Sequence, residues 1–283
     1  MVIAIVTGQH PQRFGGRVAI VTGGGWNIGR AVAERLAAEG ASVAICGRRT
    51  ELLTDTVEGI RRRGGSAIAV PADVTVLAEV ERLVRTTTDT FGPVDCLAAI
   101  AGGGGGYQPI DEIDPEQWAQ VVRLNLVGTF HAARAVLPGM RARRRGTIIT
   151  CCGGGAWFPL LDVQLTAYAA AKAGVCRFTD QLAVELLDSG IRVNCLQPGQ
   201  VWNEEQLRAA AAEEQRTGRV HPQRAHNHPP EHAGELAAFL LADASAPLTG
   251  RIVAVDDDWW RDPQRVLAVQ QSLHAYCLRR VEL

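Results

Sequence analysis

The chain contains a single lysine, Lys172, although Lys and Arg together number 29. It stands four residues after Tyr168 in the run Tyr168-Ala169-Ala170-Ala171-Lys172. Residues at i and i+4 share one helix face. An ammonium beside a phenol favours the phenolate and lowers its pKa, which suits a group that gives a proton to a carbonyl oxygen or takes one from an alcohol. Y-x-x-x-K also occurs as a plain helix pair, so the rest of the chain must supply the setting.

That setting begins at Thr22-Gly23-Gly24-Gly25-Trp26-Asn27-Ile28-Gly29, which follows an apolar strand and opens a helix. Glycine lets backbone approach a pyrophosphate, and a helix N-terminus offers it free N–H groups and positive dipole. The next strand, Val43-Ala44-Ile45-Cys46, ends without the carboxylate that binds a ribose 2′-hydroxyl and runs into Gly47-Arg48-Arg49. Two guanidiniums at that place favour a 2′-phosphate, so the expected cofactor is NADPH rather than NADH.

The elements that must position these groups alternate. Apolar runs at 17–22, 42–46, 66–70, 94–100, 146–151, 191–196 and 251–255 read as strands. Helix-period segments at 28–39, 50–63, 76–91, 115–141, 166–189 and 231–243 lie between them. The expectation is an α/β protein with a doubly wound parallel sheet, a Rossmann fold of about seven strands with helices on both faces. Ligands then bind beyond the C-terminal strand ends.

In ordered motifs the chain resembles the short-chain dehydrogenase/reductase family from about residue 16 to 258. The landmarks are the turn at 22–29, Ala72-Asp73-Val74, Ala101-Gly102, Asn125, the Tyr168/Lys172 pair and Pro198-Gly199. The resemblance implies catalytic roles for Tyr168, Lys172 and Asn125. Asn125 would anchor a water in a proton relay, and Lys172 would also hold the nicotinamide ribose. It implies cofactor contacts from Gly23, Asn27, Ile28, Gly29, Arg48, Arg49, Asp73, Val74, Ala101, Gly102, Tyr168, Lys172, Pro198, Gly199 and Val201. Within that set, Asp73 would bind adenine, and Pro198, Gly199 and Val201 would flank the nicotinamide.

Three positions depart from the family pattern. Asn27 replaces the middle glycine of the turn, and asparagine is the residue besides glycine that best tolerates positive φ. Ala99-Ile100-Ala101-Gly102 stands where the family has N-N-A-G, which removes two bracing amides. The third departure touches the chemistry: Gly153, preceded by Cys152, falls where the family carries the serine that hydrogen-bonds the substrate carbonyl. Loss of one such donor costs about 2.7–4 kcal/mol in the transition state. Tyr168 alone, a donor from Cys152, Gln164 or Thr166, or a hydrogen-bonding group carried by the substrate itself are the alternatives open at this point.

A chain of 283 residues with 47% hydrophobic residues can bury one large core. We expect one NAD(P)-binding domain over 17–260, with a substrate loop at 200–229. A leader over 1–16 precedes it, in which Ala4-Ile5-Val6-Thr7-Gly8 repeats as Ala19-Ile20-Val21-Thr22-Gly23, and a C-terminal extension over 261–283 follows. A net charge of −1 gives no pull toward nucleic acid, and no apolar stretch approaches the roughly 20 residues of a membrane span. Seven scattered cysteines read as small buried residues of a reducing, cytoplasmic setting. His221, His226, His228 and His232 lie among prolines without ligand spacing, so no metal is expected.

The leading expectation is an NADPH-dependent ketoreductase acting on a bulky, aromatic or polycyclic ketone of the secondary-metabolite kind. Cys152, Gly153, Trp157 and Trp202 are the candidate pocket residues, joined by Tyr107 and Phe158; the rings read equally as core or interface. Two alternatives remain: enone or imine reduction or a net non-redox isomerisation on the same fold, and a non-catalytic NADPH-binding sensor or partner subunit. The family resemblance also implies a homodimer or homotetramer through the helices at 115–141 and 166–189.

Overall fold

The computed structural model describes residues 12–105, 107–161, 163–272 and 274–278. The first copy of the N-terminal repeat lies outside them. Seven strands, β1 (Val18–Thr22), β2 (Ser42–Cys46), β3 (Ser66–Ala69), β4 (Cys96–Ala99), β5 (Gly146–Cys151), β6 (Ile191–Gln197) and β7 (Ile252–Ala254), form one sheet in the order β3-β2-β1-β4-β5-β6-β7. Every pairing is parallel. The order reverses between β1 and β4, and a crevice at such a switch point is where doubly wound sheets bind ligands.

The strands divide their side chains between two cores with period two. Ala19 and Val21 of β1, with Cys96 and Ala98 of β4, face Leu36, Leu53, Ile60, Leu236 and Phe239. Val18 and Ile20, with Leu97 and Ala99, face Val80, Leu83, Val136, Met140 and Leu186. One face is thereby covered by α1 (Asn27–Ala38), α2 (Thr50–Arg62) and α8 (Pro230–Leu241). The other is covered by α3 (Leu77–Phe91), α5 (Gly128–Arg143) and α6 (Thr166–Glu185). Both faces being dry explains strands that read as continuous apolar runs.

Three segments depart from the expected elements. The helix expected over 115–141 is α4 (Pro115–Val122) and α5 joined by one π-helical turn, Arg123–Val127. The 200–229 stretch contains a full helix, α7 (Glu204–Thr217), opened by a capping box between Asn203 and Gln206. Beyond β7, α9 (Pro263–Gln271) is followed by a strap whose Tyr276 carbonyl accepts the Ile252 amide at 2.7 Å. Arg251 donates to the carbonyls of Gln270 and Ser272, and Arg177 to that of Leu278.

At the other end the chain docks before β1. Phe14 is fully buried, and Arg13 and Arg35 converge on the buried carboxylate of Glu39 at 2.5–2.6 Å. Desolvation opposes ionisation of Glu39, but the two guanidiniums outweigh it and hold the carboxyl below the usual carboxylate range.

Candidate active site

At the C-terminal end of β1 the glycine-rich turn is shaped by contacts that leave no room for side chains. A Cβ on Gly23, whose φ is +70°, would lie 3.0 Å from the Ala101 Cα, and one on Gly24 would lie 2.6 Å from Ile45. One on Gly29 would run into the Gly23 carbonyl. Asn27 adopts φ 44°, the conformation its residue type was expected to tolerate. Its Oδ1 is buried without a hydrogen-bond partner. The Thr22 hydroxyl accepts the Ala101 amide at 3.0 Å, tying the ends of β1 and β4 together where the side-chain amides of the family are missing.

This turn borders a cavity of about 190 Å³ lined by Gly23, Gly25, Trp26, Arg48, Arg49, Asp73, Val74, Ala101 and Gly102. The sequence-selected residues from four separate strand ends therefore meet in one place. Desolvation opposes ionisation of Asp73, but two hydrogen bonds from Thr75 and the Arg48 charge hold its carboxyl below the ordinary range. The Arg49 guanidinium lies over the Trp26 ring at 5.3 Å. A cradle that excludes Cβ atoms, a helix N-terminus and two guanidiniums fit a nicotinamide dinucleotide.

Lys172 is 4% exposed, and its Nζ donates to the Cys151 carbonyl at 2.8 Å while lying 5.5 Å from the Tyr168 ring centroid. A Cβ on Gly102 would stand 3.1 Å from that Nζ and 2.6 Å from Asn125 Oδ1, so only glycine fits beside them. Asn125 sits in the π-helical turn, a widening often found at functional sites. Its Nδ2 donates to the carbonyls of Gly103 and Val121 at 2.9 Å, and its Oδ1 accepts the Gly103 amide. The side chain therefore pins the loop after β4 beside Lys172. The Asn125 main-chain carbonyl accepts from Thr129 Oγ1 at 2.7 Å.

Position 153 is filled from outside. A Cβ there would collide with the Tyr168 hydroxyl and ring. Burial pushes the Tyr168 hydroxyl well above the ordinary phenol range, and Cys151, Cys152 and Tyr107 add to the shift. This is opposite to the direction expected from the Tyr168/Lys172 pair. The ammonium is directed at a carbonyl rather than at the phenol oxygen, and desolvation wins.

Pro198, Gly199 and Val201 follow β6 directly. Gly199 has φ +69°, and a Cβ on it would meet His228 at 2.5 Å. His228 belongs to the segment expected to be a polar loop. It pairs with Asp256 at 2.9 Å and fastens the base of the 200–229 segment through its amide to Gln200. Trp202 borders a groove with Trp26 and Asn27 rather than with Trp157, and packs edge-on against His221. Trp157 and Phe158 project from the 153–165 loop, 42% and 49% exposed. Cys152 is buried with its thiol on the Leu196 carbonyl, which takes it out of contention as an exposed donor.

The chain matches the family model described as short chain dehydrogenase over residues 17–214. It belongs to the short-chain dehydrogenase/reductase family. It is 32% identical over 260 residues to levodione reductase of Leifsonia aquatica, covering 88% of this chain and 96% of that one. With cis-4-hydroxycyclohexanecarboxylate dehydrogenase of Sinomonas cyclohexanicum it shares 34% identity over 251 residues, 87% and 97% of the two chains. A solved variant of actinorhodin polyketide ketoreductase with NADPH superposes with a TM-score of 0.76 at 30% identity, covering 87% and 97%. As a short-chain dehydrogenase/reductase, the chain is an oxidoreductase that binds a nicotinamide cofactor and acts on carbonyl or hydroxyl substrates. No helix among the described residues is long and apolar enough to cross a membrane.

Proposed function

We propose that this chain is an NADPH-dependent ketoreductase that converts a carbonyl of a bulky, aromatic or polycyclic substrate to an alcohol, with Tyr168 as the general acid. The observation that carries the reading is the Tyr168 hydroxyl standing over Gly153, where a side chain at 153 would begin. The bound cofactor supplies the hydride. Tyr168, kept protonated by burial, donates to the carbonyl oxygen and takes over the hydrogen bond that the family assigns to its serine. Lys172 and Asn125 fix the wall beside it, and in this reading Lys172 also holds the ribose.

Preference for the 2′-phosphate is supported by Arg48 and Arg49 on the cavity wall. A bulky apolar substrate is supported by Trp157, Phe158 and Leu160, all exposed on the loop that follows Gly153. Relatives named for levodione reduction and polyketide ketoreduction point the same way. Assembly as a homodimer or homotetramer in the cytoplasm completes the reading. The α5 and α6 faces support the assembly, with Phe130 and Val184 43% and 55% exposed.

The test is NADPH oxidation by the purified protein over a panel of aromatic and polycyclic ketones, with NADH in parallel. Turnover preferring NADPH and falling about a hundredfold or more in Tyr168→Phe is expected. Tight NADPH binding with no turnover across the panel, or a Tyr168→Phe variant as fast as the parent, overturns it.

A further inference from the structure

Three cysteines far apart in sequence converge behind the catalytic tyrosine. The Sγ atoms of Cys152, after β5, Cys176, on α6, and Cys195, within β6, all lie within 4.8 Å of one another. All three are buried, at 1%, 0% and 0% exposure. Around them pack Ala156, Val175, Leu126, Ile252 and Leu278, an apolar shell. Cys152 and Cys195 point their thiols at the same acceptor, the Leu196 carbonyl, at 3.5 and 4.0 Å. Among the described residues the ligand set is sulfur alone, without carboxylate or imidazole.

Donor chemistry narrows the ligand. Hard cations such as Mg²⁺ and Ca²⁺ take oxygen donors, and a closed structural zinc site takes four protein ligands. Soft thiolates select Cu(I), zinc or iron–sulfur clusters, and the last two take four protein ligands, which leaves Cu(I) for a set of three. We propose that Cys152, Cys176 and Cys195 form a three-sulfur site for a monovalent copper ion, built against the back of the catalytic centre.

A metal–thiolate bond of about 2.3 Å sets three sulfurs about 4 Å apart around a trigonal ion, so the trio closes by less than about 1 Å. Each Cu–S bond replaces an S–H bond and releases a proton to solvent. No electron moves, and the step needs no reactant besides the ion. Thiolate charge left in the site faces the Lys172 ammonium, one helical turn before Cys176 on α6. The C-terminal strap covers the cluster: Leu278 packs on it, and its carbonyl accepts from Arg177. Closing the sulfurs pulls on Cys152, the neighbour of Gly153, and so shifts the floor beneath Tyr168 and lowers turnover.

The experiment titrates the full chain, reduced and metal-free under argon, with Cu(I) against the chelator bicinchoninate, and records copper X-ray absorption. One Cu(I) per chain with sulfur as its only neighbours is expected, at least a hundredfold tighter than Zn(II). Cys176→Ser and Cys195→Ser should each lose it with an unchanged circular dichroism spectrum, while Cys46→Ala, on β2, keeps it. If the serine variants misfold, Cys176→Ala and Cys195→Ala, which preserve apolar packing, decide the same point. Absence of uptake by the parent chain, uptake surviving the double alanine variant, or Zn(II) displacing Cu(I) overturns the proposal. Metal uptake is read without turnover, so its failure leaves the reductase reading untouched.

Discussion

The Tyr168 hydroxyl stands too close to Gly153 to admit a Cβ there. The two positions compete for one volume, so the glycine is a condition of the tyrosine's placement. Restoring the family's serine therefore does not restore a donor. Gly153→Ser and Gly153→Ala should both push the phenol off its position, lowering kcat on the best ketone of the panel about a hundredfold, as a displacement near 1 Å does. NADPH affinity, measured by fluorescence titration, should stay within about twofold, since the cradle at Gly23 and Gly29 is not touched. A gain of activity in Gly153→Ser would show that Tyr168 yields without cost.

The direction of the Tyr168 shift sets the pH profile. Its hydroxyl ionises above the ordinary phenol value of 10.0 because burial opposes the phenolate, so the acid form persists through neutral and mildly alkaline pH. Ketone reduction under saturating cofactor should show no alkaline limb from this group between pH 7 and 9.5. A fall in kcat centred near pH 8, absent in Tyr168→Phe residual activity, would mean that the Lys172 charge governs the phenol after all.

Arg48 and Arg49 border the cavity beside Asp73. A charge-assisted hydrogen bond is worth about 1.5–3 kcal/mol, so Arg48→Ala and Arg49→Ala should each weaken NADPH binding by about ten- to a hundredfold. NADH binding should be unchanged, because it lacks the phosphate. Isothermal titration with both cofactors measures this. Equal losses for the two would assign the guanidiniums to shaping the turn.

Glu39 is buried between Arg13 and Arg35. Its folded pKa lies below the unfolded value of 4.5, so the carboxylate adds stability above that pH and loses it as the pH falls through the folded pKa. Glu39→Gln should lower the unfolding free energy by about 3 kcal/mol at pH 7, the loss typical when one partner of a buried ion pair is removed. Urea unfolding should show the gap closing toward acid pH. A constant gap from pH 7 to 4 would mean that packing alone fixes this corner.

Most of the sheet was legible because each strand is buried on both faces and reads as a short apolar run between turns. The Tyr168/Lys172 pair and the turn at Gly23–Gly29 were legible because both lie on one local element. What escaped depends on partners distant in the chain. The π-helical turn at Arg123–Val127 has no composition of its own, and a helical period runs through it. The direction of the Tyr168 shift needed the desolvation of its hydroxyl and the aim of Lys172. The Cys152, Cys176 and Cys195 cluster appears only when β5, α6 and β6 are laid side by side. By contrast, α7 carried its signal openly. Asn203 and Gln206 form its capping box ahead of a run of alanine and glutamate, and reading 200–229 as a loop passed over it.

The burial of Lys172 reaches beyond catalysis. Lys172 is the only lysine in the sequence, so a lysine-specific protease has one bond to cut, within α6. At 4% exposure that bond is shielded in the folded chain. Such a protease should leave the native protein whole and split the unfolded chain into two fragments, making the lysine tied to the Cys151 carbonyl also a reporter of global opening.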